Sequence, residues 1–152
     1  YLFFADKREM SAHLRPTAEP MEYILIRGVS GLPPEPGQVW DSPGLRKGLQ
    51  LVEFALSLPF SHEFTAVDVQ NHGGRLDPYK THLRLFAQLD RGPETEVYFG
   101  RFADEAGGDY AVSTDRKREM LKRYVREVGR GRLAGTRRWI DLRYDQLQYS
   151  PN

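Results

Sequence analysis

The stretch HLRLFAQLDRGPETEVYFG, residues 82–100, decides the fold class. Leu83, Leu85, Ala87 and Leu89 alternate with His82, Arg84, Phe86 and Gln88. That period of two belongs to a strand with one face in a core. RGPE (91–94) supplies glycine and proline for a turn, and TEVYFG (95–100) returns as a second strand. A hairpin of this kind is the unit of an antiparallel sheet.

Upstream, EFTAVDVQN (63–71) is rich in β-branched and aromatic residues and reads as another strand, followed by NHGG (71–74), whose two glycines suit positive φ. Before it, residues 41–58 read as a helix. Asp41 or Ser42 can cap it, Pro43 suits its first turn, and Leu45, Leu49, Val52 and Leu56 share one face. Pro59 stops it. GVSGLPPEPGQ (28–38) is a loop, while EYILIRG (22–28) and YLFFA (1–5) are the first strand candidates.

Downstream, RFADEAGGDYAVS (101–113) is irregular. Thr114 can cap a second helix running to about Val128, with Met120, Leu121, Tyr124, Val125 and Val128 as its apolar stripe and Gly129 at C′. GRGRLAGTRR (129–138) is a basic connection. RWIDLRY (138–144) is the last clear strand, and QLQY (146–149) extends it or returns beside it. Strands outnumber helices, so the expectation is a single α+β domain over 1–152: a largely antiparallel sheet with two α-helices packed on one face.

The 152 residues are 39% hydrophobic and 28% charged, the composition of a folded, water-soluble chain. The chain begins at Tyr1 and not Met, which reads as a fragment of a longer protein. It has no cysteine, which excludes disulfides, thiolate metal sites and a cysteine nucleophile. Residues 115–143 hold 11 Lys/Arg against 4 Asp/Glu, while the remainder is acidic. Such a stretch can meet an anionic polymer or lipid through 115–138, although a solvated helix face is the commoner meaning.

Catalytic motifs are not found. His13, His62, His72 and His82 have no mutual spacing that aligns two imidazoles, and they read as surface histidines. DEAGGD (104–109) lacks the order of a calcium loop and reads as a solvated loop. No phosphate-binding glycine loop or nucleophile elbow occurs. An enzyme would have to assemble a pocket from scattered loops. Asp141 and Arg143 lie on the Trp139 side of their strand. A carboxylate beside an arginine is the opposite of a poised general base, so the pair reads as a structural clasp. No catalytic residue, metal ligand or cofactor is assigned. Basic residues concentrate on a helix and a loop, not among sheet aromatics, so no nucleic-acid partner is expected either.

Several short motifs occur in order: VDVQNHGG (67–74), VYFG (97–100), a basic helix (115–128) and IDLRY (140–144) with a short strand after it. Together they resemble the extracytoplasmic β domain of the bacterial cell-division proteins FtsQ/DivIB. The resemblance implies a noncatalytic divisome scaffold. Its membrane helix and POTRA domain would lie outside this chain, and this domain would sit on the periplasmic side of the inner membrane. The implied partners are the small bitopic coiled-coil proteins of FtsB/DivIC and FtsL type, bound by strand addition to the last strand. That edge would be Tyr144, Gln146, Leu147, Gln148 and Tyr149, with Lys80 meeting an acidic partner side chain. Tyr144 also continues the Ile140/Leu142 alternation, which would place it equally well in the core.

Overall fold

The computed structural model describes residues 23–105 and 111–152 together with the backbone of 3–5. The elements are β1 (Phe3–Ala5), β2 (Ile24–Arg27), α1 (Pro43–Leu56), β3 (Phe64–Asp68), β4 (Leu83–Ala87), β5 (Thr95–Gly100), α2 (Thr114–Glu127), β6 (Trp139–Asp141) and β7 (Gln148–Tyr149). All seven strands form one sheet whose spatial order equals their chain order. The fold is therefore α+β as expected, with four antiparallel neighbours and two parallel ones.

The parallel pairs are β2/β3 and β5/β6. The strand pattern did not foretell them. Parallel neighbours need a long crossover, and α1 and α2 supply it. Two right-handed crossovers running the same way across a sheet put both helices on one face. One core results, from Ile24 and Ile26 of β2 through Leu83, Leu85, Val97 and Phe99 to Ile140 and Leu142, covered by Leu51, Phe54 and Ala55 of α1 and Met120, Leu121 and Tyr124 of α2.

Local chemistry sets the boundaries. Ser42, not Asp41, caps α1: its Oγ accepts from the Leu45 amide at 3.3 Å. The buried residues of α1 are Gly44, Gly48, Leu51, Val52, Phe54 and Ala55, a face rotated from the expected Leu45/Leu49/Val52/Leu56 stripe: Val52 is buried as expected, while the three leucines are only partly buried. Glycines explain the rotation, since a Cβ on Gly48 would come within 2.7 Å of Ile26. The backbone of α1 lies close against β2 there. The N-cap of α2 is Ser113, one residue before the expected Thr114, with Oγ accepting from the Arg116 amide at 3.2 Å. Gly73 and Gly74 take positive φ (68° and 72°), as the NHGG reading requires. Residues 106–110, within the expected 101–113 and 104–109 loops, and the 6–22 stretch lie outside the described residues.

Among the described residues, no helix covers the other sheet face. Leu25, Ala66 and Phe86 form a small apolar cluster on it. Arg84 reaches Asp68 (3.1 Å) and Glu96 (2.8 Å) beside them, while Tyr98 stacks on Trp139 with centroids 5.9 Å apart. Aromatics and arginines are thus interleaved on this face after all, with Arg84 committed to neighbouring carboxylates.

Candidate partner-binding edge

RWIDLRY is only partly a strand. β6 stops at Asp141, and residues 142–147 turn the chain into β7, so Tyr144, Gln146 and Leu147 belong to the turn. Of the expected edge set, only Gln148 and Tyr149 are strand residues. The cause is local. The Asp141 carboxylate takes Arg143 Nε at 2.9 Å, Arg143 Nη2 at 2.6 Å and the Arg143 amide at 3.0 Å. This fork bends the backbone just after the strand. The expected clasp is present, and it closes the strand instead of aligning it with a neighbour.

Arg143 also lies over the rings of Tyr98 (5.2 Å) and Tyr144 (5.5 Å). Its guanidinium stays protonated, held up by the bonds to Asp141. Tyr144 is 54% exposed, so the core alternative is set aside. The following turn is pinned to the start of α2, where Arg116 donates to Asp145 Oδ1 (2.8 Å) and to the Asp145 carbonyl (3.2 Å). Leu147 is partly buried against the core, and Gln146 and Gln148 are exposed.

β7 is the last strand of the sheet. Its register pairs Ile140 with Tyr149 and Asp141 with Gln148. The Ser150 amide donates to the Trp139 carbonyl at 3.0 Å, which makes Trp139/Ser150 a hydrogen-bonded pair. Antiparallel pairs alternate, so Ile140/Tyr149 is a non-hydrogen-bonded pair. The N–H and C=O of Tyr149 therefore point away from β6, out of the sheet. Ser150 Oγ fastens the end by accepting from the Arg138 amide at 2.9 Å.

A groove of about 490 Å³ runs between α2 and this edge. Met120, Val128, Leu147 and Tyr149 give it apolar surface, and Arg116, Arg123 and Arg126 stand along its rim. Lys80 is elsewhere. It lies in the loop before β4, with its ammonium 3.7 Å from Asp77. It lines a separate cleft of about 230 Å³ with His82, Arg101, Lys117 and Arg143. Arg143 is the link, because it also lines the pocket that holds Tyr144. Lys80 and Tyr144 thus line adjoining pockets that share Arg143, and Lys80 does not line the groove at β7.

Two residues of that cleft depart from their sequence reading. His82 is buried, not on the surface, with Nε2 3.3 Å from Arg101 Nη2. Burial first, and Arg101 second, lower its pKa. Lys117 is 1% exposed, and its Nζ donates to the carbonyls of Phe99 and Arg101, both at 2.7 Å. Burial pulls its pKa down to about 8. A signal for Lys117 existed: it stands three and four residues before Met120 and Leu121, on the apolar stripe. Among the described residues, no cluster of His, Asp or Glu is arranged to hold a metal ion. Comparison of the chain with protein-family models, with curated proteins and with solved structures returns no match.

Proposed function

We propose that this chain is a noncatalytic scaffold domain of FtsQ/DivIB type. It binds small bitopic coiled-coil proteins of FtsB/DivIC and FtsL type by strand addition at β7. The observation that best supports the reading is the outward Tyr149 N–H and C=O on the terminal strand of the sheet. An incoming segment pairs with those groups, and its side chains enter the groove beside α2. Lys80, in the neighbouring cleft, would meet an acidic side chain flanking that segment. In this reading the domain is extracytoplasmic, and a membrane segment outside the chain tethers it. No helix among the described residues is long and apolar enough to cross a membrane.

The rival reading, anionic polymer or lipid on 115–138, has less support. Most α2 cations are committed: Arg118 to Asp115, Lys122 to Glu119, and Arg123 and Arg126 to Glu127.

The test is calorimetric titration with the extracytoplasmic segments of the FtsB/DivIC-type and FtsL-type proteins of the same genome, at low and high salt. Tyr149→Pro removes the outward N–H and leaves the inward bonds of Gln148 and Ser150 in place. It is expected to weaken binding at least tenfold, about 1.4 kcal/mol, with an unchanged far-UV spectrum. Affinity that survives Tyr149→Pro ends the strand-addition reading. Affinity that collapses with salt transfers the function to the basic stretch.

A further inference from the structure

The arginines around β7 divide into two kinds. Arg116, Arg123, Arg126 and Arg143 each have a carboxylate: Asp145, Glu127, Glu127 and Asp141. Arg137 has none among the described residues. Its Nε and Nη1 are buried and without a hydrogen-bond partner. Its guanidinium lies 5.4 Å from the centre of the Tyr149 ring, on the strand whose outer edge is open. That ring in turn packs edge-on against Tyr124, at 5.6 Å. The Tyr124 hydroxyl is engaged with Thr136 Oγ1 at 2.5 Å.

We propose that Arg137 selects the strand that joins β7, by requiring a carboxylate on the residue that settles beside Tyr149 on the α2 side of the sheet. This rests on the strand-addition reading and adds the chemistry of the partner. An added strand lies about 4.8 Å from β7, and its side chains stand about 5 Å from their cross-strand neighbours. It therefore covers Tyr149 and the half-buried Arg137 beneath it. Covering removes water from a charge that has no partner, which is strongly unfavourable. A carboxylate from the incoming strand fits the guanidinium fork and offsets that loss, while an apolar or basic residue at the same place is rejected. The site thus takes an extended segment with Asp or Glu at one fixed position among β-formers.

The experiment pans a phage-displayed library of short random peptides on the 152-residue chain and, in parallel, on Arg137→Gln, Arg137→Lys and Tyr149→Pro. The wild type is expected to enrich an acidic residue at one position of a strand-like consensus. A synthetic consensus peptide should lose about tenfold in affinity when its acid becomes the amide. It should lose the same against Arg137→Gln, with little further loss when both are changed, and an intermediate amount against Arg137→Lys. The Arg137 Nε–Hε resonance of the labelled wild type should shift and exchange more slowly with peptide bound, a readout that does not depend on any variant folding. A consensus without an acid, or a still resonance, overturns the role of Arg137. If that consensus remains sensitive to Tyr149→Pro, the edge reading survives it. Peptides indifferent to Tyr149→Pro overturn both.

Discussion

Lys117 places a charge in the core beside Phe99, whose ring lies 3.9 Å from its Nζ. Burial lowers its pKa to about 8, against the opposing pull of Glu105 and Asp141. In the unfolded chain a lysine titrates near ~10.4. Between these values the unfolded state binds more protons than the folded one, so stability rises with pH through that window. Urea unfolding is expected to show a gain of about 2 kcal/mol from pH ~7.5 to ~9.5. Tyr98 and Tyr124, whose pKa values burial raises, act in the opposite direction above ~10 and set the upper limit of the test. Lys117→Met should flatten this slope, and should cost about 1–3 kcal/mol at neutral pH because the Phe99 and Arg101 carbonyls lose their donor. An equal slope in both proteins would remove Lys117 as its source. The helical period holds the clue to this residue. His82 gives no such clue, because its neighbour comes from a preceding loop: a Cβ on Gly74 would lie 3.1 Å from its Nε2.

At the level of elements, the junction from α2 into β6 shows how a glycine can be right for a different reason. Gly129 stands where a C′ glycine is expected, yet the positive φ values fall on Arg130 (53°) and Gly131 (86°). What Gly129 supplies is room, since a Cβ there would lie 1.9 Å from the Arg132 carbonyl oxygen. The loop it opens is held by Glu63, whose Oε2 accepts the amides of Leu133 and Ala134, both at 2.7 Å. Gly129→Ala is therefore expected to cost about 1–3 kcal/mol by thermal or urea unfolding, and more than Gly131→Ala, whose Cβ meets nothing within 4 Å. Similar losses at both positions would mean that backbone conformation, not crowding, governs the junction. Both helices and most strands were legible because hydrophobic period is local, as at Leu83/Leu85/Ala87 and Met120/Leu121/Tyr124. The parallel pairings were not, because alternation fixes the faces of a strand but not the direction of its neighbour. The end of β6 was missed because a side chain, Asp141, decides it by capturing the next residues. The candidate edge was therefore legible as a place in the chain, while its geometry came from the register of β6 and β7.

Across the molecule, the two crossover units β2–α1–β3 and β5–α2–β6 could have been separate cores. Three contacts argue that they are one. Phe54 of α1 meets Phe99 of β5 edge-on at 5.0 Å. Arg118 of α2 donates to Ser57 Oγ, just past α1, at 3.0 Å and lies 5.6 Å from the Phe54 ring. Glu63, just before β3, holds the loop that leads into β6. Under the proposed strand addition, a β7 edge backed by such a core would be fixed before the partner arrives, so less ordering would be lost on binding than at a frayed strand. The expected behaviour is a single cooperative transition. Leu51→Ala in α1 and Leu121→Ala in α2, both fully buried, should each lower stability by about 2–5 kcal/mol without changing the urea slope. Far-UV dichroism and the fluorescence of Trp139, isolated by Trp40→Phe, should move together with and without each leucine substitution. If Leu51→Ala shifts only part of the dichroism and leaves the Trp139 transition in place, the halves unfold independently. The rigidity assigned to the β7 edge would then belong to the β5–α2–β6 unit alone.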